Sequence, residues 1–130
     1  MKENSTFFAP ELYFKEVAPA IEFYKKAFEA IELRRWSNDD GSVHVAEMSI
    51  DGALFHLHEE TLKKNKLSPE TLQGTTTVIG LFVDDPHAVM SKAVEAGGTE
   101  IDPVKDYDYG YRQESLTDPF GYQWQIQTKI

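Results

Sequence analysis

Tyr109-Gly110-Tyr111-Arg112, followed by Asp118-Pro119-Phe120-Gly121-Tyr122-Gln123-Trp124-Gln125-Ile126, is the stretch on which the fold turns. Asp-Pro-x-Gly is tight-turn chemistry: proline holds φ at about −65°, glycine accepts positive φ, and the aspartate can bond the turn's own backbone. Beyond Gly121 polar and apolar residues alternate, the pattern of a strand with one buried face. The turn therefore feeds a terminal strand, Tyr122 to Lys129.

Working back from that strand, Tyr111 to Thr117 and Glu100 to Tyr107 also read as strands. Before them Asp85-Pro86 starts a helix carrying Val89, Met90, Ala93, Val94 and Ala96, which stops at Gly97-Gly98. Thr76 to Asp84 is a β-branched, apolar strand. The order is β-α-β-β-β, and the first half repeats it. Phe7 to Phe14 alternates as a strand, and Pro19 suits the first turn of a helix with an apolar stripe at Ile21, Tyr24, Ala27, Phe28 and Ile31. Strands follow at Ile31 to Ser37, Val43 to Ile50 and Ala53 to Glu59, joined by the turns Asn38-Asp39-Asp40-Gly41 and Asp51-Gly52. The two units, 7–60 and 76–130, span 54 and 55 residues. Residues 61–75 form a polar linker with room for one helical turn.

Two repeated units stack because neither can bury its apolar face alone. The expected fold is α+β: two β-α-β-β-β modules, each a curved mixed sheet with its helix on the convex side, enclosing a concave cleft suited to a small ligand. The 130 residues make one domain's worth of chain, 1–130, with 41% hydrophobic and 27% charged residues. A net charge of −9 without a separate basic cluster disfavours nucleic acid. No apolar run approaches the ~20 residues of a membrane span. The lack of cysteine removes disulfide and thiolate chemistry, so a cytoplasmic location is the default expectation.

Three stretches give the chain a family resemblance. Ala20-Ile21-Glu22-Phe23-Tyr24 with Phe28, Phe82-Val83-Asp84-Asp85 with Gly97-Gly98, and the C-terminal motif quoted above are similar to the vicinal oxygen chelate superfamily: glyoxalase I, bleomycin-resistance proteins and extradiol dioxygenases. The last motif most resembles the PhnB-like branch. Metal-dependent members hold a divalent ion with His, Glu or Gln from the first and last strand of each module. Carried over by position, those places fall on Ala9, His56, Val78 and Gln125. Ala9 and Val78 have no donor atom, and a catalytic divalent site needs about three firm protein ligands. The resemblance therefore implies a pocket without a metal cofactor. The alternative is a divalent metal ion on relocated ligands, Glu11, His56, His58 and Gln125, since Glu11 and His58 share strand faces with Ala9 and His56.

Individual side chains carry further expectations. His56, His58 and Gln125 line the pocket in this reading, against the plainer one of polar residues on a solvated face. Arg112 and Glu114 share a strand face. Arg112 can clamp an anion or pair with a nearby carboxylate, and Glu114 can reach inward. Tyr107, Tyr109 and Tyr111 can form an aromatic lid or an exposed hairpin rim. Trp36 is a candidate for a ligand groove or for a dimer contact, while Trp124 belongs to the core, and Asp118 and Gly121 to the turn. Together these imply a small-molecule-binding protein of the bleomycin-resistance kind, a homodimer without metal. The alternative is a metal-dependent lyase or dioxygenase with a carboxylate base, Glu11 or Glu114.

Overall fold

The computed structural model describes residues 6–130; residues 1–5 of the domain expected over 1–130 lie outside the described residues. The order is β1 (Glu11–Phe14), α1 (Val17–Phe28), β2 (Ile31–Ser37), β3 (Val43–Ile50) and β4 (Ala53–Glu59), then β5 (Val78–Phe82), α3 (Pro86–Glu95), β6 (Thr99–Tyr107), β7 (Tyr111–Thr117) and β8 (Gln123–Lys129). The connector holds a 3-10 turn, Leu62–Lys64, and a one-turn helix α2, Pro69–Leu72. Ser68 caps α2 by accepting the Thr71 N–H, and Pro69 stands at its start.

There are two four-stranded mixed sheets, ordered β1-β4-β3-β2 and β5-β8-β7-β6. In each, the first strand runs parallel to the last and the other pairs are antiparallel. A parallel pair needs a crossover, and here the helix and the two following strands supply it. The expected α+β architecture of two β-α-β-β-β modules is the one observed.

Three strands are shorter than the alternation suggests, β8 by the single residue Tyr122 at its start. β1 starts at Glu11, not Phe7, because Pro10 has no N–H for a ladder; its carbonyl still accepts the His56 N–H at 2.9 Å. Phe7 and Phe8 are exposed. β5 covers Val78–Phe82 rather than 76–84.

One core joins the modules. Phe14, Ile21, Tyr24, Met48 and Leu57 of the first share it with Leu116, Trp124 and Ile126 of the second. The Trp124 ring lies 4.7 Å from that of Phe28 and 5.5 Å from that of Tyr24, centroid to centroid. Asp118 ties this seam polarly. It accepts from the Tyr24 hydroxyl, from Trp124 Nε1 at 3.0 Å, and from the N–H groups of Phe120 and Tyr122 at 2.9 and 3.0 Å. Burial raises its carboxyl above the usual range, and these donors oppose the rise. The Asp-Pro-x-Gly turn is thus also an inter-module link. Tyr122 adds a second link, its hydroxyl accepting from the Tyr13 N–H at 2.6 Å and donating to the Tyr13 carbonyl at 3.0 Å. Gly121 has φ +97°, and a Cβ there would stand 2.9 Å from Pro69 Cβ, so the turn admits only glycine without displacing the connector.

Side chains alternate along each strand. Leu12, Phe14, Phe55, Leu57, Trp124 and Ile126 enter the core, so Glu11, Tyr13, His56, His58 and Gln125 project from the opposite, open faces of the two sheets.

Candidate functional site

On the first sheet the strand register sets two rows side by side. Glu11 is opposite His56, His56 opposite Glu47, and Glu47 opposite Arg34. Tyr13 is opposite His58, His58 opposite Val45, and Val45 opposite Trp36. Glu11, His56 and His58 come together there, each with a ligand-type atom within 4.8 Å of the others. They are three of the four relocated ligands considered from the sequence. Gln125, the fourth, sits on the second sheet beside Gly80 and Ser115.

The electrostatics of the cluster are specific. Glu11 Oε1 stands 3.1 Å from His58 Nε2, and Glu47 Oε2 stands 3.5 Å from His56 Nε2. Among the described residues neither Nε2 has a hydrogen-bond partner, although both atoms are shielded from solvent. A buried polar atom left this way costs about 1–3 kcal/mol. Burial pushes the His58 imidazole below its ordinary pKa, with the Glu11 carboxylate pulling the other way and His56 and His44 adding to the fall. His44 lies aside at the sheet's end, its Nδ1 3.2 Å from Glu59 Oε1. Trp36 is 38% exposed, and the Arg34 guanidinium lies 4.4 Å above its ring.

On the second sheet the open face is aromatic and amidic. Phe82, Tyr111, Tyr109 and Tyr107 form a row with successive ring centroids 6.1, 6.1 and 5.1 Å apart. Phe82 and Tyr109 are exposed. Gln125 is half-buried, and Gln113 Nε2 donates to Gln127 Oε1 at 2.8 Å. A groove of about 700 Å³ follows the edge of β1 beneath the connector, with Glu11, Leu67 and Tyr122 among its walls.

Two sequence expectations need correction. Arg112 and Glu114 do share a face, but it is the helix-covered one. Glu114 is opposite Ile126 in the core and is itself 1% exposed. It cannot reach the open face. Its Oε1 instead meets His87 Nδ1 at 2.8 Å, on the first turn of α3. That contact raises the His87 pKa, by hydrogen bonding first and by charge second. Arg112 pairs with Asp106 through two contacts of 2.6 and 3.1 Å. Period-two spacing gave the shared face but not its side; the parity of Leu116 with Glu114 was the available signal. Sequence reasoning also missed Glu47 and Tyr13, which only the cross-strand register places beside the histidines.

Two modules of this topology, joined through one core with polar open faces, define the class of paired β-α-β-β-β proteins. Residues 7–126 match the family model of the Glyoxalase/Bleomycin resistance protein/Dioxygenase superfamily, and the chain belongs to that superfamily. It is 34% identical over 121 residues to the uncharacterized protein Mb0911c of Mycobacterium bovis, covering 91% of this chain and 80% of that one. The structure of the Arabidopsis thaliana At5g48480 product has a TM-score of 0.72 at 28% identity, covering 93% and 97% of the two chains. That of TioX from Micromonospora sp. ML1 has a TM-score of 0.74 at 18% identity, covering 96% and 97%. The second likeness is one of fold.

The divalent ion of metal-dependent superfamily members does not fit its usual places here. Ala9 and Val78 offer no donor, and Val78 presents an exposed apolar side chain.

Proposed function

We propose that the chain is a small-molecule-binding protein of the PhnB-like branch, acting in the cytoplasm as a homodimer and binding without a metal at the superfamily's usual positions. The observation that carries this reading is the aromatic row Phe82–Tyr111–Tyr109–Tyr107. Such rings offer flat apolar area with polar tips and little entropy to lose, which suits a planar ligand. The charge of −9 favours a cationic one by long-range attraction. Lys105, 5.1 Å from the Tyr107 ring, already makes a cation–π contact in the row.

The same faces support the homodimer. Ile31, Leu33 and Trp36 on β2, with Val78 and Phe82 on β5, leave apolar area exposed, and a second copy would cover it. Light scattering should give twice 14.8 kDa; a mass of 14.8 kDa would contradict the dimer.

The binding test is fluorescence titration with a planar cationic dye, ethidium or acridine orange. Saturable binding that weakens at least tenfold in Phe82→Ala and in Tyr109→Ala is the expected result. Unchanged affinity in both variants would remove the row from the site.

A further inference from the structure

We propose that Glu11, His56 and His58 bind a divalent transition ion, Zn²⁺ or a close relative, at a site built by the first module alone. Two imidazoles and one carboxylate are a mixed nitrogen and oxygen donor set of the kind that suits zinc, nickel or cobalt. The set differs from the places the superfamily uses: it needs nothing from β5 or β8, and two of its three members lie two residues further along their strands.

Three observations converge on it. The ligand-type atoms of the three residues gather within 4.8 Å. The Nε2 atoms of both histidines are buried without a hydrogen bond among the described residues. Carboxylates stand beside these nitrogens, Glu11 at 3.1 Å from His58 and Glu47 at 3.5 Å from His56. In the tautomer with the proton on Nδ1, the Nε2 lone pairs face carboxylate oxygens and repel them; a cation between them turns the same arrangement into attraction.

The geometry needs only a small adjustment. An ion about 2.0–2.1 Å from each donor requires donor separations of roughly 3.3 Å, so the 4.8 Å cluster must contract. Glu11 already stands 3.1 Å from His58, so the contraction falls on the separations to His56, and rotation of the His56 ring with movement of the exposed Glu11 side chain, at the first residue of β1, supplies it. Three protein ligands leave positions open on the ion. Glu11 also walls the groove along β1, which gives small oxygen-donor molecules a route to those positions. The site is independent of the aromatic row, so either can fail without the other.

The test is calorimetric titration of the untagged, chelator-stripped full chain with Zn²⁺, with Co²⁺ absorption as a second readout of coordination. The proposal expects one ion per chain and visible bands from bound Co²⁺. Affinity should fall at least tenfold in Glu11→Gln and in His58→Asn, and stay unchanged in Gln125→Ala and Phe82→Ala. Circular dichroism checks that each variant is folded, and exposed Glu11 provides a substitution that spares the core. No stoichiometric ion on the folded wild type would overturn the proposal. So would binding indifferent to Glu11→Gln, or binding lost in Gln125→Ala.

Discussion

The two modules carry the same elements in the same order, and their open faces differ in kind. Register makes the comparison residue by residue. Glu11 against His56 in the first sheet corresponds to Gly80 against Gln125 in the second, and Tyr13 against His58 corresponds to Phe82 against Gln127. Glu47 corresponds to Ser115, and Val45 to Gln113. Where the first sheet sets imidazoles and carboxylates, the second sets amides, a hydroxyl and a glycine. The core-facing positions of the last strands show no such divergence: Phe55 and Leu57 answer to Trp124 and Ile126, all buried. Folding constrains the face that must exclude water, and the other face is left to carry chemistry.

The turns that close the last strands differ as sharply, and this is where the largest effect is expected. Asp118 collects four donors, two of them from aromatic side chains buried at the seam. At the β3–β4 turn Ser49 accepts the Gly52 N–H, at 2.9 Å. Asp118→Ala leaves buried donors unpaired and should cost about 3 kcal/mol in urea unfolding. Ser49→Ala should cost about 1 kcal/mol. Equal losses would mean that the two turns do the same work and that Asp118 does not hold the modules together.

The comparison can also be redrawn by substitution. Gly80→Glu, Gln125→His and Gln127→His together copy the first sheet's donor set onto the second. A Cβ at Gly80 would meet Gln127 Nε2 at 2.9 Å, an atom that the triple variant removes. Zn²⁺ stoichiometry should rise from one to two per chain. If it stayed at one while the variant remained folded, the register alone would not define the ion site.

The smallest effect concerns the helix-covered side of β7. Glu114 holds the His87 pKa above its ordinary 6.5. A histidine raised in this way contributes stability that is fully present below the unfolded value and is lost as pH rises through the folded one. The pair's contribution therefore fades above about pH 6.5. NMR titration should show the His87 midpoint falling toward 6.5 in Glu114→Gln. An unmoved midpoint would separate the two groups in solution.

Much of the scaffold was legible in the sequence. β2, β3, β4 and β7 have the bounds that alternation and turn residues gave them, because turn chemistry such as Asn38 to Gly41 and Asp51-Gly52 marks where their ladders stop. Trp124 in the core was legible from alternation along the last strand. The site was legible only in part. Alternation paired His56 with His58 and Ala9 with Glu11, but which strands lie side by side is a tertiary fact. Glu47 entered beside the histidines through the β3–β4 register, which no local pattern encodes. Glu114 was placed on the wrong side because Tyr111, Gln113 and Ser115 alternate with Arg112, Glu114 and Leu116, and polar residues occupy both sets. The single apolar residue Leu116 is the only local signal for the side, and the contact of Glu114 with exposed His87, on another element, fixes it in the fold.

The central claim is that ion chemistry resides on the first open face and not on the second. NMR of ¹⁵N-labelled protein titrated with paramagnetic Co²⁺ tests it most directly, since broadening reports distance from the ion. The account predicts loss of amide signals centred on Glu11, His56 and His58 at one equivalent, with Gln125 and Phe82 still visible. Broadening centred on Gln125, or spread evenly over the acidic surface, would contradict it.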